Sequence, residues 1–143
     1  MHCAYCELPE IKERAIVRTA HSFAFPTFIP IVPGHVLISP LRCVALIEDL
    51  DEEELADFFA LRLRMKRALT KAFGATDFNY AWNEGKIAGQ NVPHLHLHML
   101  PRKAGDTGIT KYEPRKFLYR PGEREKTPEV ELATIAKMIR AHL

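Results

Sequence analysis

Long apolar runs are missing from this chain, and none approaches the ~20 residues that a membrane span needs. Charge of one sign is missing too. Twenty basic residues face 18 acidic ones, for a formal net charge of +2, so bulk charge does not announce a nucleic-acid binder. Cysteine is scarce, with three among 143 residues, and that odd number speaks against a disulfide framework. No repeat or low-complexity tract stands out. The opening residues, Met1-His2-Cys3-Ala4-Tyr5-Cys6, lack the basic start and apolar stretch of a signal peptide. The expectation is a cytoplasmic protein with no membrane association.

What is present fits an ordinary globular protein: 47% hydrophobic and 27% charged residues. The length fits one domain over residues 1–143, enough to bury a real core. Cys3 and Cys6 stand in a Cys-x-x-Cys spacing, which in a reducing compartment points to metal or redox chemistry. Seven histidines occur in all, and His94, His96 and His98 fall within five residues.

Local patterns predict the elements. Residues 15–19 and 22–25 read as two short strands around Ala20-His21. Pro26, Pro30 and Pro33 keep the next stretch out of a central ladder, because proline has no N–H to donate. His35–Ser39 is β-branched and apolar, and Pro40 ends it. Residues 51–73 predict a long helix. Asp51 and Glu54 have the spacing of a capping box; Leu55, Phe58, Leu61, Met65, Ala68, Leu69 and Ala72 recur on one face; Gly74 is a fitting stop. Phe78–Trp82 reads as a strand. Residues 83–86 and 89–93 read as turns, and His94–Leu100 as a further strand. Residues 102–127 form an irregular basic segment, whose charges fit a solvated loop better than a polyphosphate or nucleic-acid contact. A C-terminal helix follows within 128–142, its core over 129–141, with Val130, Ala133, Ile135 or Ala136, and Met138 or Ile139 inward. Strands and helices without regular alternation argue for α+β, a mostly antiparallel sheet packed with the long helix and the C-terminal helix.

In a strand, alternate side chains share a face. His94, His96 and His98 would then line one face, with Leu95, Leu97 and Met99 on the other. Neutral imidazole is a good nucleophile near pH 7. A ring nitrogen that attacks phosphorus gives a nucleotidyl-histidine, which water then hydrolyses, splitting one hard displacement into two easier ones. The attacking ring needs its other nitrogen protonated and oriented. Surface histidines or metal ligands remain the plainer readings of the same row. Among the aromatics, Trp82, Phe23, Phe25 and Phe28 are candidates to stack on a base; most aromatics in such places are core, which leaves Phe28 as the candidate.

Gly89-Gln90-Asn91-Val92-Pro93 leading into His-x-His-x-His, together with Pro33-Gly34-His35-Val36-Leu37-Ile38-Ser39-Pro40, resembles the histidine-triad (HIT) superfamily from about Phe23 to Arg102. Pro101-Arg102-Lys103-Ala104-Gly105-Asp106 is similar to the Fhit branch. The resemblance implies a dinucleoside polyphosphate hydrolase that cleaves at the α-phosphate and needs no organic cofactor. It implies His96 as nucleophile, His98 at the scissile phosphate and leaving group, and His35 and His94 completing the set. It places Asn83, Gln90 and Asn91 near the phosphates and Thr27 near the ribose. Asn83 leans toward the Hint branch, so a nucleoside phosphoramidase is an alternative; a nucleotide-binding module with slow turnover is another. A DNA-adenylate hydrolase, raised only by the basic segment, is a more distant one, and nucleic acid is not the expected partner. The resemblance also implies a homodimer and a structural zinc held by Cys3, Cys6, Cys43 and His94.

Overall fold

The structure, a computed structural model, describes residues 3–106 and 126–143. Most of the basic segment, residues 107–125, lies outside the described residues, and the expectation about it with them.

Five strands form one sheet in the order β1-β2-β3-β5-β4, every neighbouring pair antiparallel. The strands are β1 (Val17–Arg18), β2 (Ser22–Pro26), β3 (Val36–Pro40), β4 (Asp77–Ala81) and β5 (Leu97–Arg102). Helices α1 (Ala4–Glu7) and α2 (Pro9–Glu13) precede the sheet, α3 (Glu52–Phe73) follows β3, and α4 (Glu129–Arg140) closes the chain. The α+β architecture is the expected one. Among the described residues no helix is long and apolar enough to cross a membrane.

Helix α3 forms where its pattern predicts it. The Asp51 carboxylate accepts the Glu54 N–H at 2.8 Å and the Glu54 carboxylate accepts the Asp51 N–H at 3.1 Å, so the acidic first turn satisfies its own open donors. Gly74 ends the helix at φ 67°, a left-handed conformation that glycine adopts without a Cβ penalty. Phe58, Leu61, Met65 and Leu69 pack on Ala24, Ile38, Leu97 and Met99. The other sheet face carries Phe23, Phe25 and Leu37, which α2 covers through Ile11. Leu37 pairs with His98 across β3 and β5, so His98 belongs to this second, less covered face.

Gly34 lets the segment before β3 approach the long helix. A Cβ there would stand 2.9 Å from both the Phe73 ring and Pro101, and φ is +86°.

Three expectations need correction. The strand predicted over His94–Leu100 begins at Leu97 and runs to Arg102. Pro93 has no N–H to donate. The His94 N–H turns back to the Val92 carbonyl and the Leu95 N–H goes to Val44, so the first two histidines precede the ladder. Secondly, α4 buries Leu132, Ala136 and Ile139, a stripe one helical turn apart at each step. Val130 lies two residues before that stripe and is 74% exposed; Met138 is also exposed, and so is Ala133. Thirdly, β1 contains only Val17–Arg18, because Thr19 leaves the ladder to close the turn. Its N–H bonds the Ser22 carbonyl, and the Asp57 carboxylate on α3 accepts from the Thr19 hydroxyl and the His21 N–H.

Candidate active site

His96 and His98 line a cavity of about 410 Å³, within the size range of small-molecule sites. Their rings meet edge to face, centroids 5.1 Å apart. His35 stands behind His98, Nε2 to Nδ1 at 3.0 Å, and His94 is fully buried beneath.

The backbone decides which nitrogen of each ring carries its proton. The His94 carbonyl lies 2.8 Å from His96 Nδ1. A carbonyl only accepts, so His96 Nδ1 donates and Nε2 keeps its lone pair. The Pro40 carbonyl, 2.7 Å from His94 Nε2, likewise makes that nitrogen the donor and leaves Nδ1 as the lone-pair atom. The Ile31 N–H donates to His35 Nδ1 at 3.1 Å. His35 must then donate from Nε2 to His98 Nδ1, and in neutral His98 the proton resides on Nε2. One ring lining the cavity thus carries a nucleophilic Nε2 and the other an Nε2–H donor. Burial holds the His96 ring below the usual histidine range, partly offset by its bond to His94; His94 is lowered for the same reason. Both are neutral near pH 7.

The loop from Asn83 to Val92 forms another wall. Asn83, Gly89 and Asn91 line the cavity, and the Asn83 amide donates to the Gly89 carbonyl at 3.4 Å. The Gln90 side chain is committed to the loop itself: its oxygen accepts the Gly85 N–H at 2.8 Å and its amide donates to Ala45 at 3.0 Å. Thr27 and Phe28 both line the cavity, and Phe28 is 42% exposed. Phe23 and Phe25 are buried, whereas Trp82 is half-exposed and donates to Glu84. Arg102, in the basic segment, is tied to Asp106 through two bonds of 2.6 and 3.0 Å.

Sequence reasoning missed the N-terminal wall. Tyr5 on α1 packs edge-on against His94, His96 and Phe25. Glu10, Ile11 and Arg14 line the cavity from α2 and its end, and Glu129 does so from α4. Pro9 at the first helical position is the one signal that marks α2; helices of four and five residues are too short to show a period.

Cys3, Cys6, Cys43 and His94 place their ligand atoms within 4.8 Å of one another, close enough to hold a metal. His94 Nδ1, the lone-pair nitrogen, is 3.1 Å from the Cys3 sulfur and 3.4 Å from the Cys6 sulfur. All three thiols are free of disulfides. Burial, followed by its contact with Cys3, pushes the Cys6 thiol up to about 12. A divalent cation among the four would reverse that balance, since a coordinating thiol is deprotonated outright. The donor set fits a tetrahedral ion.

Comparison with known proteins gives this geometry a context. The chain is 40% identical over 96 residues to a fission yeast (Schizosaccharomyces pombe) protein named bis(5'-nucleosyl)-tetraphosphatase [asymmetrical], covering 67% of this chain and 53% of that protein. It is 36% identical over 110 residues to the bis(5'-adenosyl)-triphosphatase of Dictyostelium discoideum, covering 77% and 70%. The chain thus spans only about half the length of the fission yeast relative. A zinc-bound histidine triad family protein from Mycobacterium smegmatis superposes with a TM-score of 0.73 at 25% identity, over 99% of this chain and 94% of that one. Residues 8–105 match the HIT domain, a span that contains the whole sheet and every histidine of the site. This chain therefore belongs to the HIT domain family.

Proposed function

We propose that residues 1–143 form one HIT domain and that the chain hydrolyses dinucleoside polyphosphates at the α-phosphate through a nucleotidyl intermediate on His96. The observation that carries this reading is the pair of oriented ring nitrogens: a lone pair on His96 Nε2 beside a donor on His98. The relatives named for bis-nucleosyl tetraphosphate and triphosphate cleavage support the substrate class.

In the first step His96 Nε2 attacks the α-phosphorus. A P–N bond forms and the bond to the bridging oxygen breaks. The departing nucleoside polyphosphate takes that oxygen and its electron pair, and His98 Nε2–H donates to it. The His94 carbonyl stabilises the imidazolium character that develops on His96. Backbone N–H groups near Gly89 and Asn91, with the Asn83 amide, receive phosphate oxygens. In the second step water attacks phosphorus and gives up a proton that restores the His98 Nε2–H, the P–N bond breaks with its electron pair returning to His96 Nε2, and a nucleoside monophosphate leaves. Thr27 faces the ribose and Phe28 the base. Gln90 acts by holding the phosphate loop in shape.

Asn83 at the cavity wall favours the alternative, a phosphoramidase, which would use the same two steps with an amine leaving group. Incubation with diadenosine triphosphate and with an adenosine phosphoramidate separates the two readings. Faster release of AMP from the first supports the hydrolase; turnover of the phosphoramidate alone overturns it.

Cys3, Cys6, Cys43 and His94 would hold a zinc ion as a closed structural site, in which the metal supplies a crosslink between the N-terminal segment and the sheet. Phe59, Leu63, Tyr80 and Trp82 are 39%, 40%, 37% and 38% exposed. Phe59 and Leu63 belong to α3, Tyr80 to the edge strand β4 and Trp82 directly follows it, elements that Arg62 joins through Tyr80, and exposed apolar groups of this kind suit a homodimer. A cytoplasmic setting completes the reading, because it keeps the thiols reduced.

A further inference from the structure

The cavity has two chemically different walls. One carries His96, His98 and the 83–91 loop. The other, built by α2 and the start of α4, carries Glu10, Arg14 and Glu129 in surroundings that also include Ile11, Phe25 and Leu37.

On the second wall Arg14 is already committed. It is 4% exposed, donates from Nε to the Pro26 carbonyl at 3.1 Å, and pairs with Glu129 at 2.5 Å. Its guanidinium also lies 5.9 Å from the centre of the Phe25 ring. Glu10 is one helical turn before Arg14, whose N–H donates to the Glu10 carbonyl, yet Arg14 turns away to Glu129. Glu10 lines the cavity and is partly buried, and among the described residues its carboxylate has no hydrogen-bond or ion-pair partner. An acceptor not already committed within the protein is available to a donor on a ligand that enters the cavity.

If phosphorus is at His96, the base meets the walls the phosphates leave open. A carboxylate there accepts and cannot donate. Guanine offers two adjacent donors, N1–H and the 2-amino group, that match a carboxylate bidentately. The amino groups of adenine and cytosine each adjoin a ring nitrogen with a lone pair, which a carboxylate repels. Uracil offers one donor between two carbonyls. We infer that Glu10 reads the base and biases the site toward guanine nucleotides. The inference rests on the nucleotide-hydrolase reading above and names its substrate more closely.

The test compares kcat/KM for bis(guanosine) and bis(adenosine) triphosphate with the wild-type chain, Glu10→Gln and Glu10→Leu. The expected wild-type preference for guanosine is about tenfold, the scale of one bidentate base contact. Glu10→Leu should lower the guanosine value about tenfold more than the adenosine value, with Glu10→Gln between. Equal losses on both substrates would overturn the inference. So would a loss that vanishes with 2′-deoxyguanosine substrates, because the carboxylate would then be reading the ribose. If neither dinucleotide is cleaved, the hydrolase reading fails separately, and equilibrium binding of GMP against AMP decides the base reading. A tenfold preference for GMP that Glu10→Leu abolishes supports it, and equal binding ends it.

Discussion

The Tyr5 ring meets the His96 imidazole edge-on, with centroids 5.1 Å apart and planes at 87°. Tyr5 stands between Cys3 and Cys6 in the chain, so whatever anchors those sulfurs also fixes the ring that supports the proposed nucleophile. An edge-to-face pair of this kind contributes about 1 kcal/mol beyond its burial. Tyr5→Ala should therefore lower kcat roughly fivefold, while Tyr5→Phe, which keeps the edge, should stay close to wild type. Parallel steady-state kinetics of the two variants check this, and equal losses would mean that the hydroxyl, not the ring edge, matters.

His96→Gly should cost at least about 10⁴-fold in turnover, the scale seen when a covalent nucleophile is lost. Intact-mass analysis of acid-free quenched wild-type enzyme should show a nucleotidyl adduct that the variant lacks. Turnover that survives the substitution would leave a binding module as the better description.

Metal removal should destabilise the chain. A ligand at a thousandfold excess over its Kd adds about 4 kcal/mol to stability, or roughly 10 °C in Tm for a domain of this size. Scanning calorimetry with and without a chelator, and of Cys43→Ala with added zinc, measures the effect. Identical melting in all samples would sink the metal site.

Acid should weaken the anchor at the start of α3. The Arg42 guanidinium, followed by the Asp51 N–H, holds the Glu54 carboxyl down to about 2 from an ordinary 4.5. Because the folded value is the lower one, the stabilisation is fully present above 4.5 and fades as pH falls toward 2. Glu54→Gln should reduce stability at pH 7 and flatten its decline across that window. Urea unfolding at pH 7, 4 and 3 makes the comparison, and parallel curves for the two proteins would refute it.

Gly34→Ala should cost about 2–3 kcal/mol, from a strained positive φ and a collision with Phe73 and Pro101. A fall of several degrees in Tm is the expected readout, and an unchanged Tm would mean that the ring and the proline give way freely.

Much of this arrangement is legible in the chain, and the gaps have physical reasons. Helix α3 is plain because 22 residues give a 3.6-residue period room to repeat, and both of its caps are written in residue types. The histidine alternation reads as a strand as far back as His94, yet pairing begins only at Leu97. Alternation reports which side chains share a side, not where a partner strand starts. Helix α4 offers two overlapping apolar stripes, and only its packing against α3 and β2 decides which one is buried. The wall formed by α1 and α2 shows no period, so Tyr5 and Glu10 stay hidden until tertiary contacts bring them to the cavity. The cysteines that converge on His94 are 51 or more positions from it at the nearest in sequence, and only the resemblance to related chains ties them together. Proton positions on the rings are invisible in sequence altogether, since the carbonyls of Pro40 and His94, the Ile31 N–H and the His35–His98 contact set them.

The His94 carbonyl that fixes the His96 tautomer has a consequence for repeated turnover. In the proposed reaction the proton it holds on Nδ1 never has to leave during attack or release, so the ring would come out of each cycle in the form in which it began. No slow resetting of that ring would then separate one substrate from the next, and the pace would be left to chemistry or to departure of products.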